Sequence, residues 1–163
     1  MNAEYMKKLT PDEFFEKAEP WLKKAISNPA VNLRQVAALV QSRCEILSDL
    51  PERVDFIDKL PDYEPELYIH KKSKTNLENS LETLTVLLPV LQAQDDWSNE
   101  ALYETLVAVA AERGVKNSII LWPLRVAVSG KASTPGGATE LCALLGKEES
   151  LRRIEAGIAL LRK

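Results

Sequence analysis

Apolar residues recur at three- and four-residue steps through most of this chain, and each periodic stretch is bracketed by helix start and stop signals. Thr10-Pro11-Asp12-Glu13 has the residues of a capping box, with proline at the first helical position where its missing N–H is no loss. Phe14, Phe15, Ala18, Trp21, Leu22, Ala25 and Ile26 continue that helix, with Pro20 as a kink and Asn28-Pro29 as the stop. Asn32 caps a second helix whose Leu33, Val36, Ala37, Val40 and Leu47 form one stripe, and a short third helix is expected after Pro51. Asn76 to Gln94 predicts a long helix through Leu77, Leu81, Leu84, Leu88 and Leu91, bent at Pro89. Ser98 caps the next, which runs through Leu102, Leu106 and Val109 to a stop at Gly114. Asn117 or Ser118 opens another through Trp122 and Val126, and 138–145 and 148–161 supply the last two. Asn-Gly and Asp-Gly hairpin signals are missing, few segments alternate with period two, and no solenoid repeat is visible. The expected fold class is all-α, a helical bundle in two parts.

The division is expected where the character of the chain changes. Leu60-Pro61-Asp62-Tyr63-Glu64-Pro65 is a proline-spaced acidic connection, followed by the basic run Ile69-His70-Lys71-Lys72-Ser73-Lys74. A first helical subdomain over 1–66 and a second over 67–163 follow from this. A length of 163 residues, 45% apolar and 28% charged, suits one ordinary domain or two small ones. No run approaches the roughly 18 apolar residues of a membrane span, and the first residues hold no apolar core of the secretory kind, so a cytoplasmic location without membrane contact is expected. Cys44 and Cys142 have no second ligand at metal spacing and are read as core thiols, with no metal and no disulfide. A net charge of −3 argues against binding nucleic acid through bulk positive charge but permits a local basic face.

The densest passage is Trp122 to Lys147. Arg125 stands among Leu124, Val126 and Ala127, where composition predicts burial, so its guanidinium must pair with a neighbouring carboxylate or face a polar groove. Ser129, Gly130, Lys131, Ser133 and Thr134 are residues that let a phosphate or base approach the backbone closely. Thr134-Pro135-Gly136-Gly137 also reads as an ordinary helix start with threonine capping. Lys71-Lys72-Ser73-Lys74-Thr75 resembles the loop with which class I aminoacyl-tRNA synthetases stabilise pyrophosphate, but the chain has one histidine and no βαβ pattern to complete such a site. It is read instead as a solvated basic run that can touch a nucleic-acid backbone. His70 has no nucleophile or orienting carboxylate at a recognisable spacing, and no catalytic residue is assigned. Arg43 alone could be a solvent-facing helix residue. From residues alone the chain is helical and capable of nucleic-acid binding, with a protein-interaction module docking around Tyr5 and Phe14 or Phe15 as the rival reading.

The residues Gly114-Val115-Lys116, Pro123-Leu124-Arg125-Val126-Ala127-Val128-Ser129-Gly130-Lys131, Thr134-Pro135-Gly136 and Leu144-Leu145-Gly146-Lys147-Glu148, in that order, resemble the end of bacterial glutamyl-tRNA synthetases. Met1 to Leu9 and Ser48-Asp49-Leu50-Pro51-Glu52 are similar to earlier parts of the same region, so the resemblance covers essentially the whole chain. It implies an all-helical anticodon-binding region of α-helix cage type, in two subdomains. It also implies that Arg43 reads the last anticodon base, that Arg125, Thr134 and Pro135 line the anticodon pocket, and that the partner is glutamate tRNA or, in relaxed members, glutamine tRNA as well. Lys71, Lys72, Lys74 and Lys131, with Lys116 and Lys147, would offset phosphates. The family's ATP-dependent aminoacylation, with its ATP and Mg, belongs to an N-terminal catalytic domain. A chain with only the anticodon-binding region would therefore need no cofactor, bind tRNA as a monomer and not charge it. Gly137 departs from the bulky apolar residue the family often carries two places after the proline, and a paralogue that kept the fold and lost tRNA selectivity is the further alternative.

Overall fold

The Thr10 Oγ1 accepts the Glu13 N–H at 3.2 Å, and the Glu13 carboxylate accepts the Thr10 N–H at 2.9 Å. Two donors that no helical carbonyl can reach are thereby satisfied, and α2 (Pro11–Ala25) starts where the capping residues direct it. The computed structural model describes residues 3–27, 29, 31–41, 44, 46–132 and 134–163. Nine α-helices and no strand occur among them, so the fold is all-α. The Cα positions group into two compact units, Met1–Lys59 with Ser133–Gly136, and Leu60–Ala132 with Gly137–Lys163. The division after Lys59 falls at the start of the proline-spaced acidic stretch, earlier than the 66/67 boundary expected from composition.

In the first unit, α2 packs against α3 (Leu33–Val40) and α4 (Leu50–Asp58), with the short α1 (Ala3–Lys8) preceding them. Phe14, Ala18 and Leu22 bury the inner face of α2 opposite Val36, Ala37 and Val40 of α3 and Leu50, Val54, Phe56 and Ile57 of α4. Asn32 caps α3 by accepting the N–H groups of Arg34 and Gln35 at 3.0 and 3.2 Å. The helix stops at Val40, so Leu47 lies off its stripe, in a separate 3-10 turn (Leu47–Asp49) that leads directly into α4. Gln41, just past that stop, donates to the carbonyls of Met6 and Leu9 at 3.0 and 2.8 Å and ties down the end of α1.

In the second unit, α5 (Leu77–Gln92) packs on α7 (Asn117–Ser129) and α9 (Lys147–Leu161), while α6 (Asn99–Arg113) and α8 (Ala138–Leu145) cover α7. The buried face of α5 runs through Ser80, Thr83, Leu84, Leu87 and Leu91, which leaves Leu77 exposed and Leu81 and Leu88 at the margin of the expected stripe. Gly157 sits mid-helix in α9 because a Cβ there would lie 2.6 Å from the buried Tyr68 hydroxyl, which is hydrogen-bonded to Tyr63 at 2.7 Å. Gly130 ends α7 at φ +65, a left-handed conformation that suits glycine, with no room for a side chain beside Pro61 and Tyr63.

Candidate nucleic-acid interface

Helix α7 is held from inside. Ile120, Leu124, Val126, Ala127, Val128 and Ser129 are buried, and Trp122 and Arg125, three positions apart, come from the partly exposed side. Arg125 is therefore half-buried rather than enclosed. Its Nη2 donates to the Ala132 carbonyl at 2.7 Å and its guanidinium carbon lies 4.7 Å from the centre of the Trp122 ring. The turn that presents Ala132 is built locally: Ser129 Oγ donates to the Arg125 carbonyl at 2.6 Å and accepts the Lys131 N–H at 3.2 Å. Lys131 is half-buried in that turn.

Among the described residues, the fully buried arginine is Arg153 on α9, 1% exposed. Its Nη1 donates to the Val128 carbonyl at 2.6 Å, one of the last carbonyls of α7 that no helical N–H can reach, and its Nε donates to Glu149 at 3.2 Å. Burial pulls the Arg153 pKa down and the Glu149 carboxylate opposes that, while an arginine keeps its proton regardless. The sequence contained a signal for it. Position 153 falls on the apolar stripe of α9 with Ser150, Ile154, Gly157 and Ile158, and Glu149 stands four residues earlier on the helix.

Lys71, Lys72 and Lys74 are exposed on a reverse turn that precedes α5, closed where the His70 and Thr75 backbones exchange hydrogen bonds of 3.2 and 3.1 Å. Lys74 takes φ +61 to close it. The His70 Nδ1 accepts the Ser73 N–H at 3.2 Å, which assigns the neutral ring's proton to Nε2, and Ser73 Oγ lies 2.8 Å from the same nitrogen. The imidazole is thus committed to shaping the turn. It also stacks on Trp122, with ring centres 3.8 Å apart and planes 6° from parallel. Trp122 Nε1 donates to the Leu67 carbonyl at 3.2 Å, and Ser118 Oγ donates to the Ser73 carbonyl at 3.3 Å. The lysine turn and Arg125, more than fifty positions apart in sequence, are brought to opposite ends of one set of contacts around Trp122.

The remaining sequence candidates lie elsewhere. Thr134 and Pro135 group with the first unit. Thr134 is buried, and its hydroxyl donates to the Gly136 carbonyl at 2.6 Å. Contrary to the expectation from Thr-Pro-Gly-Gly, it does not cap α8; Gly137 holds the cap position, and Glu140 reaches back to accept the Gly137 N–H at 3.0 Å. Gly137 has φ −80, and a Cβ there would meet nothing closer than Glu140 Oε1 at 3.7 Å, so the position has room for a side chain. Arg43 lies outside the described residues. Lys116 is exposed at the start of α7, whereas the Lys147 ammonium donates to the Gln94 carbonyl at 2.7 Å. Cys44 and Cys142 are buried, and burial pushes the Cys142 thiol up to about 12, which leaves it inert near neutral pH.

A family model described as an anticodon binding domain matches residues 13–158. The chain belongs to that family. The anticodon-binding domain is 47% identical to the glutamate–tRNA ligase of Clostridium tetani over 162 residues, 99% of this chain and 33% of that protein. It is 49% identical to the glutamate–tRNA ligase of Clostridium kluyveri, again over 99% of this chain and 33% of the relative. The chain spans about a third of the length of the curated relatives it matches. Among solved structures, the glutamate tRNA ligase of Elizabethkingia meningosepticum, in complex with its amino acid, has the same fold over 98% of this chain and 31% of that one, with a TM-score of 0.78 at 19% identity. The domain is therefore homologous to part of the glutamate–tRNA ligases. None of its described helices is long and apolar enough to cross a membrane.

Proposed function

We propose that this domain binds the anticodon stem-loop of glutamate tRNA as the anticodon-binding part of a glutamate–tRNA ligase. The observation that carries the reading is Arg125, a planar five-donor group held against Trp122 and the Ala132 carbonyl, on the same indole that supports the three-lysine turn. Anticodon bases are unstacked, and RNA readers take such bases on planar arginines and aromatic surfaces while cations hold the phosphates. Arg125 is assigned to a base edge, and Lys71, Lys72, Lys74 and Lys131 to the backbone. Arg43, Thr134 and Pro135 are assigned as further anticodon contacts on the family resemblance. With the buried Thr134 hydroxyl turned onto Gly136, the contact this segment is proposed to offer is the Pro135 ring.

The same reading makes the whole protein a cytoplasmic monomeric ligase whose separate catalytic domain uses ATP and Mg to attach glutamate, on glutamate tRNA alone or on glutamine tRNA as well. This domain supplies selection rather than chemistry. Nuclease protection of full-length glutamate tRNA by the domain tests the proposal. Protection confined to the anticodon stem-loop supports it; protection of the acceptor end, or binding only to a protein partner, overturns it.

A further inference from the structure

Arginine side chains are long and flexible, and a base-reading arginine gains specificity when its plane is fixed before the base arrives. The restraints on Arg125 include the Ala132 carbonyl and the Trp122 ring. The second restraint is itself restrained. The Trp122 ring is pinned at its edge by the Nε1 bond to Leu67 and on its face by His70, whose imidazole lies parallel at 3.8 Å. His70 in turn is locked through Nδ1 to Ser73 and through its backbone to Thr75. The chain of contacts runs from the lysine turn through imidazole and indole to guanidinium.

We propose that His70 is a positioning residue for Arg125, acting through Trp122, so that it sets how well bases are discriminated rather than how strongly RNA is attracted. This rests on the anticodon reading for its consequence in binding, though not for the ordering of Arg125 itself. The three lysines attract phosphate through charge alone, which falls with salt and carries no base information. The imidazole meets the Ser73 N–H through Nδ1 and the indole with its face, so its effect on Trp122 is one of contact. Removing its ring frees one face of Trp122 and lets the indole tilt, and Arg125 loses the surface on which it lies. The Ser73 N–H loses its acceptor with the ring, while the paired backbone of His70 and Thr75 still closes the turn and keeps the lysines on it.

The experiment compares wild type, His70→Ala, His70→Phe and the double variant Lys71→Ala/Lys72→Ala. It uses two readouts: NMR relaxation of the Arg125 Nε–Hε group without RNA, and affinities for the glutamate anticodon stem-loop and a base-changed stem-loop at two salt concentrations. In His70→Ala the Arg125 group becomes mobile, and the preference between stem-loops falls roughly 5- to 10-fold, within the range a good base contact provides. The salt dependence stays that of wild type. His70→Phe, which keeps an aromatic ring on the indole, restores both readouts in large part. The double lysine variant flattens the salt dependence by about 1–2 units of slope and leaves the preference intact. An Arg125 group as ordered in His70→Ala as in wild type overturns the proposal, as does a lost preference that His70→Phe fails to restore. Wild type without any preference between stem-loops contradicts the anticodon reading instead, and the relaxation of Arg125 still decides the positioning.

Discussion

Arg153→Met removes the guanidinium that reaches from α9 to the end of α7 while keeping most of the side-chain volume. Among the interactions lost are the 2.6 Å bond to the Val128 carbonyl and the 3.2 Å bond to Glu149. They are not equivalent. Glu149 keeps Arg152, whose Nε and Nη2 donate at 2.8 and 2.5 Å, and its side chain retains 29% exposure, so no charge is stranded. The cost of about 3–5 kcal/mol for breaking a buried pair therefore does not apply in full. The Val128 carbonyl is different: it sits in a buried last turn, and an acceptor left without a donor there costs about 1–3 kcal/mol. Arg153→Met should lower stability by about that amount, and Arg153→Ala, which adds a cavity, by about 3–5 kcal/mol in all. Urea unfolding followed by far-ultraviolet circular dichroism measures both, given unchanged m-values. Arg153→Met within about 0.5 kcal/mol of wild type would mean that the carbonyl finds another donor and does not depend on the guanidinium.

Gly157→Ala should destabilise by about 1–2 kcal/mol despite a better helix propensity, since its Cβ would lie 2.6 Å from the Tyr68 hydroxyl. In a Tyr68→Phe background the nearest neighbours are no closer than 3.3 Å, so a thermal-melt double-mutant cycle should show positive coupling of about 1 kcal/mol or more, and strict additivity would contradict the packing. Glu149 is held below the usual carboxylate range by Arg152 first and by Arg153, against its own partial burial. A pKa lower in the folded state means stability present above the unfolded value and lost as pH falls, so Glu149→Gln should flatten the decline in stability below about pH 5, and an unchanged acid limb would contradict the pairing. Gly137→Leu should fold with little change in melting temperature, at most about 1 kcal/mol lost at the α8 cap, because its Cβ meets open space beyond Glu140. An altered preference at the first anticodon base in stem-loop binding would assign that position a role in selection.

The helices were legible because their ends are written in short-range chemistry. Thr10, Asn32 and Ser98 all cap as their sequence contexts suggest, Asn76, expected inside its helix, caps it instead, and Gly114 and Gly130 end helices in left-handed conformations. Errors arose where tertiary contacts decide. Leu47 continues the spacing of α3 yet belongs to the next turn, and α5 is rotated so that Ser80 and Thr83 face inward in place of Leu77. Thr134 has the composition of a cap but spends its hydroxyl on Gly136, leaving Glu140 to satisfy Gly137. Apolar neighbours in sequence predict burial for Arg125, whereas the arginine enclosed among the described residues is Arg153, whose carbonyl partner lies 25 positions away. The stack of His70 on Trp122 has no period and no motif, so no reading of either residue alone could have joined the lysine turn to α7. The roles of Arg43, Thr134 and Pro135 came from resemblance, and Arg43 falls outside the described residues.

On the proposed function, Arg125 reads an anticodon base from a surface that lysines attach to the backbone. The most direct measurement is the affinity of wild type and Arg125→Ala for the glutamate anticodon stem-loop and for stem-loops changed at each anticodon base in turn. The account predicts a wild-type preference for the cognate loop, a loss of about 1–3 kcal/mol in Arg125→Ala for that loop alone, and equal affinities for the variant across loops differing at the base it reads. An Arg125→Ala domain that weakens on every loop by the same factor, or on none, would contradict it.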